Sequence, residues 1–129
     1  MSSSDEVRAV AQSWIDAYNG KDFDRLHQVF DDDIVLTDLG MGISVSGGEK
    51  LVAAMRDVAE TRIPDREHTV ERIVVEGNVA IIQGRWRGVP LVETWGKPPG
   101  TPLAHRYCTV LEIENGKIKT FTDYTCQEK

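Results

Sequence analysis

The sequence predicts an α+β fold: a cone-shaped, curved, mixed or antiparallel sheet wrapped around three helices from the N-terminal half and enclosing a pocket. Three observations predict it. Apolar residues recur at helical spacing in three early segments, later segments concentrate β-branched and aromatic residues, and glycine turns, EGN and ENG, join those later runs in pairs. The order reads ααβαβββ or close to it, helices early and sheet late.

The first helix lies in SSSDEVRAVAQSWIDAYNG. Ser3 or Ser4 caps it, acids follow in the first turn, Val7, Val10, Ala11, Trp14, Ala17 and Tyr18 form its apolar stripe, and Gly20 stops it. KDFDRLHQVF repeats the pattern with Phe23, Leu26 and Phe30, and Asp31, Asp32 and Asp33 end it, which makes a helical hairpin. IVLTDLGMGISVSGG reads as one or two brief strands, with Gly47 and Gly48 leading into a third helix whose stripe is Leu51, Ala54, Met55 and Val58. Strands follow at 67–76 and 78–87. The proline- and glycine-rich segment 88–102 separates them from a last pair at 104–113 and 117–126.

With 129 residues, 40% of them hydrophobic, the chain reads as one domain over 1–129 that buries roughly two-thirds of its unfolded surface. A net charge of −6 with 15 scattered basic residues disfavours nucleic acid and acidic membranes as partners. Cys108 and Cys126 have no pairing framework, and no apolar leader follows MSSSDEV, so a cytoplasmic protein with reduced thiols is expected. His27, His68 and His105 are far apart and no Cys/His cluster has zinc spacing, so neither a metal nor a cofactor is expected.

Three stretches, QSWIDAYNGKDFDRLHQVFDDDIVLTD, IPDREHTVERIVVEGNVAIIQGRW and LEIENGKIKTFTDY, give the chain a resemblance to the nuclear transport factor 2-like superfamily. Within it, the resemblance is to SnoaL-like polyketide cyclases, ketosteroid isomerases and limonene epoxide hydrolases. The resemblance implies that the isomerase general base falls on Asp38, while the isomerase oxyanion pair reads Trp14 and Thr109 here. It implies that the hydrolase acid/base Asp falls on Asp123, although the hydrolase Arg-x-Asp reads as GRWRG with no acid, and its Tyr-x-Asn reads Leu36 and Asp38. The cyclase pairing of a late Asp with a His on the preceding strand points to Asp123 and His105.

Whether Asp123 and His105 share a face depends on the ENG hairpin. A two-residue turn at Asn115-Gly116 sets Asp123 opposite Cys108 with His105 on the other face, and pairs Glu114 with Lys117 and Glu112 with Lys119. A three-residue turn with a glycine bulge sets Asp123 opposite Tyr107 with His105 one diagonal away, and this is the arrangement the resemblance favours.

The expected function is acid/base catalysis on a small, apolar, cyclic or polyketide-like substrate: isomerisation, ring closure or epoxide opening. Asp38, Asp123 and His105 are the catalytic candidates, and an aspartate sunk in a cavity gains a raised pKa suited to proton exchange. Trp14, Tyr18, Trp86, Tyr107 and Phe121 are the candidate substrate-binding aromatics, otherwise core, while His27 and His68 read as surface or structural. Segment 88–102, with Val89, Leu91, Val92 and Trp95, covers the pocket or packs on a second subunit, and a homodimer through the outer sheet face is expected. A non-catalytic binding or association module is the alternative of another class.

Overall fold

A computed structural model describes residues 3–128. Its elements are α1 (Ser4–Asn19), α2 (Phe23–Val29), β1 (Phe30–Asp38), β2 (Ile43–Ser46), α3 (Gly48–Asp57), a π-helical turn (Val58–Arg62), β3 (Glu67–Glu76), β4 (Val79–Gly88), β5 (Leu103–Glu114) and β6 (Lys117–Gln127). The strands form one sheet in the order β2-β1-β6-β5-β4-β3. Every neighbouring pair is antiparallel except β1 and β6, which run parallel. The sheet is mixed and open, with the helices on one face.

Local chemistry explains where the helices begin. The Ser3 hydroxyl accepts from the Glu6 amide at 3.1 Å, and Asp22 accepts from the Arg25 amide at 3.1 Å, each satisfying a donor that the first helical turn leaves free. The acidic triplet does not end α2. Asp31, Asp32 and Asp33 lie inside β1, and Phe30 opens that strand opposite Ile118 of β6. Strand pairing outweighs the helical spacing that Phe30 continues. The α3 stripe also differs from expectation: Ala54 is exposed, and the buried residues are Leu51, Val52 and Ala59. Ala59 lies beyond α3, in the π-helical turn, where the Ile63 amide donates to the Val58 carbonyl at 2.7 Å across five residues, and both Ala59 and Ile63 are buried there.

Strand β5 shows the period of two, with Leu103, His105, Tyr107, Thr109, Leu111 and Ile113 all buried on the helix side. Beneath α1 lies an aromatic cluster. Trp14 meets Phe121, His68 and Tyr18 edge-on at centroid distances of 5.0, 5.2 and 6.3 Å. His68, expected as surface or structural, is only 5% exposed and is structural, its Nδ1 hydrogen-bonded to the Tyr107 hydroxyl at 2.9 Å. Burial first, then the Arg66 charge, holds this imidazole neutral by pushing its pKa well down. Asn19, at the end of α1, locks the same residue in place: it accepts from the His68 amide and donates to the His68 carbonyl, each at 2.9 Å.

The register of the β5–β6 hairpin is neither of the two expected. Glu114 pairs with Lys117 across a two-residue turn in which Asn115 and Gly116 both take positive φ, 53° and 75°. The register then slips between Glu112 and Ile113, so that Asp123 lies opposite Thr109 and His105 opposite Gln127. The slip restores a common face for His105, Tyr107, Thr109, Phe121 and Asp123, but it moves His105 away from Asp123.

Candidate active site

The parallel pairing of β1 with β6 sets Asp38 directly beside Asp123. Both line a cavity of about 370 Å³. The two carboxylates are held differently. Asp38 Oδ1 accepts from the Met41 amide at 3.0 Å and from the Thr125 hydroxyl at 2.9 Å. Gly40 makes this possible, because a Cβ there would strike the Thr125 carbonyl. Asp123 Oδ1 accepts one hydrogen bond, from the fully buried Thr109 hydroxyl at 2.7 Å. Burial raises the Asp123 pKa, the Thr109 hydrogen bond works against the rise, and the neighbouring Asp38 charge adds to it, leaving the group at about 6.

His105 is 2% exposed and in the cavity wall, stacked on Trp86 at 4.5 Å with an interplanar angle of 5°. Burial, then the charge of Arg66, lowers its pKa, while Asp38 pulls the other way, and the ring stays neutral near pH 7. It forms no dyad with Asp123, whose cross-strand partner Thr109 is four residues along β5. Its Nε2 is buried without a partner.

Of the five candidate binding aromatics, Trp86 lines the cavity. Trp14, Tyr18, Tyr107 and Phe121 are placed in the core beneath it instead, where the helix stripe and the inner faces of β5 and β6 draw them. Of segment 88–102, Glu93, Thr94 and Trp95 line the cavity, while Val89, Leu91 and Val92 are exposed. Thr94 and Lys97 exchange backbone hydrogen bonds at 3.1 and 3.0 Å around Trp95-Gly96, which presents Trp95 over His105 at 4.8 Å. The segment is pinned to the body where the Val89 amide donates to Asp65 and the Leu91 amide to the Arg62 carbonyl, each at 2.8 Å. Arg66, absent from the sequence candidates, also lines the cavity. Its run, PDRE, reads as a solvated turn, and no local signal marks it out.

The family model for the SnoaL-like domain matches residues 11–121. The chain belongs to the SnoaL-like domain family. That places it in the nuclear transport factor 2-like superfamily, and solved structures share its fold. An LEH-like epoxide hydrolase from M. tuberculosis superposes with a TM-score of 0.81 at 19% identity, covering 95% of this chain and 84% of its own. A proposed SnoaL-like polyketide cyclase from Jannaschia sp. CCS1 gives 0.81 at 20% identity, with 95% and 86% covered. A proposed ketosteroid isomerase from Kribbella flavida gives 0.75 at 17% identity, with 98% and 82% covered. At these identities the likeness is one of fold. No curated protein matches the chain in sequence. This SnoaL-like domain has no helix long and apolar enough to cross a membrane among its described residues.

Proposed function

We propose that this SnoaL-like domain is an acid/base enzyme that moves a proton at carbon in a small, largely apolar cyclic or polyketide-like substrate, in an isomerisation or ring closure. One observation carries the reading: two aspartates on parallel neighbouring strands share a cavity wall, where burial pushes the pKa of Asp123 up to about 6. A carboxylate with that pKa accepts a proton at neutral pH and returns it more readily than an ordinary one. Asp123 is the proton-transfer group. Burial is the main reason the Asp123 pKa is raised, and Asp38, locked by Met41 and Thr125, adds to the rise through its charge. Neutral His105 offers Nε2 to a substrate oxygen, and Trp86 and Trp95 supply the apolar lining.

The test is exchange of the α-protons of 2-tetralone in D2O, followed by NMR, in the wild type and in Asp123→Asn. Exchange lost in the variant supports the reading. Exchange untouched by it removes Asp123 from the mechanism and leaves a non-catalytic binding module. Asp38→Asn has its own signature: removing the neighbouring charge lowers the Asp123 pKa, so the acid limb of the pH–rate profile moves to lower pH. A limb that stays in place contradicts this role for Asp38.

We further propose a homodimer through the outer sheet face. Val74 and Ile81 are cross-strand partners there, 49% and 37% exposed, and Tyr124 on the same face is 50% exposed. Sedimentation velocity over a range of concentrations checks it, with a monomer at every concentration as the contrary result.

A further inference from the structure

Arg66 is a cation with no carboxylate of its own. Among the described residues it forms no salt bridge, whereas Arg62, in the same cavity wall, is paired with Asp57 at 2.7 Å. Its guanidinium carbon lies 4.3 Å from the Trp86 ring centroid and 5.2 Å from that of Tyr18, and its Nε is buried without an acceptor. A guanidinium stacked on rings uses its faces, and while its edge acts as a hydrogen-bond donor toward the Tyr18 hydroxyl, no carboxylate occupies that edge among the described residues. That edge only donates, stays charged at every working pH, and matches a planar pair of oxygens. A buried donor with nothing to bond costs stability in the empty protein, and a ligand oxygen would recover that cost. His105 Nε2 is a second unpartnered polar atom in the same wall, on a side chain stacked against the same Trp86 ring.

The sheet order keeps this cation apart from the aspartates. Arg66 immediately precedes β3, and Asp123 lies on β6, three strand spacings away. Its guanidinium reaches over Trp86 of β4, two spacings from β6, which at roughly 4.8 Å each is about 10 Å, and from there its charge still acts on Asp123, lowering its pKa. Asp38 repels an anion at one end while Arg66 attracts it at the other. Trp86, Trp95 and Ile63 supply apolar walls between.

We infer that the cavity takes a flat, mostly apolar ring compound bearing a carboxylate, with the carboxylate seated on Arg66 and the ring in the cavity against Trp95 and Ile63. The inference concerns the ligand of the site proposed above, and it rests on that reading only in calling the ligand a substrate and in turning its reacting carbon toward Asp123.

Isothermal titration calorimetry of the full chain with 2-naphthoate and with its neutral counterpart 2-naphthamide tests it. The carboxylate is expected to bind the wild type at least about tenfold more tightly than the amide, the preference a charge-assisted fork provides. Arg66→Gln should erase that preference, and Arg66→Lys, which keeps the charge and loses the fork, should retain part of it. Circular dichroism confirms that each variant is folded, and the wild-type comparison needs no variant. Equal binding of the two compounds, no binding of either, or a preference that survives Arg66→Gln overturns the inference. Naphthoate has no exchangeable proton beside its carboxylate, so the measurement is independent of turnover. Asp123→Asn should abolish tetralone exchange while keeping the naphthoate preference, which separates failure of this inference from failure of the catalytic reading.

Discussion

Asp123→Asn is expected to slow α-proton exchange by about 10²- to 10⁴-fold, the usual contribution of a positioned general acid or base. The wild-type rate should rise with pH through about 6, as the Asp123 carboxyl loses its proton and becomes a base. The same substitution should make the protein more stable. The folded-state pKa lies above the ordinary carboxylate value of 3.8, so the neutral acid is the form the fold favours. Asp123 therefore adds stability below about pH 4, and that contribution is lost as pH rises through about 6. The difference between 3.8 and about 6 corresponds to roughly 3 kcal/mol at neutral pH and above. Asparagine stays neutral and can still accept from Thr109, so urea denaturation should show a gain of up to about 3 kcal/mol near pH 8 that vanishes near pH 4. A variant no more stable than the wild type near pH 8 would mean that Asp123 is not desolvated, and the catalytic reading would lose its support. Greater stability with lost turnover is the pattern expected of a strained functional group.

Trp14→Ala is expected to cost about 3–5 kcal/mol, a large share of the 5–15 kcal/mol that holds a domain of this size. Trp14 is 3% exposed and packs edge-on against Phe121, Tyr18 and His68. Its removal opens a void between α1 and the sheet that rigid neighbours fill poorly. Chemical denaturation of the variant measures the loss. A cost below about 1 kcal/mol would indicate a side chain that faces open space and belongs to the ligand site instead.

The first helix cap and the strand runs were legible because each is local, as where Ser3 caps its own helix, whereas the Asn115-Gly116 turn was one of two readings and the resemblance pointed to the other. The bulge in β6 left a fainter trace. Ile118 and Phe121 are both fully buried yet three residues apart, a spacing that a strand of period two accommodates only by inserting a residue. The pairing of Glu112 with Lys119 expected from charge gave the opposite indication. Lys119 turns instead to Asp31 on β1, 3.7 Å away, and that partner is visible only once β1 lies beside β6.

By itself the sequence determined the α+β class and the cavity-bearing superfamily, since periodicity, turn chemistry and motif are properties of neighbouring residues, and the resemblance pointed to Asp38 and Asp123. Only the tertiary structure decided that those acids stand side by side, that His105 stacks on Trp86 away from Asp123, that four of five aromatics fill the core, and that Arg66 faces the cavity. The first depends on the parallel pairing of β1 with β6, the stack on the antiparallel pairing of Trp86 with His105, and the distance of His105 from Asp123 on the bulge in β6, where a shift of a single residue changes which face a side chain takes.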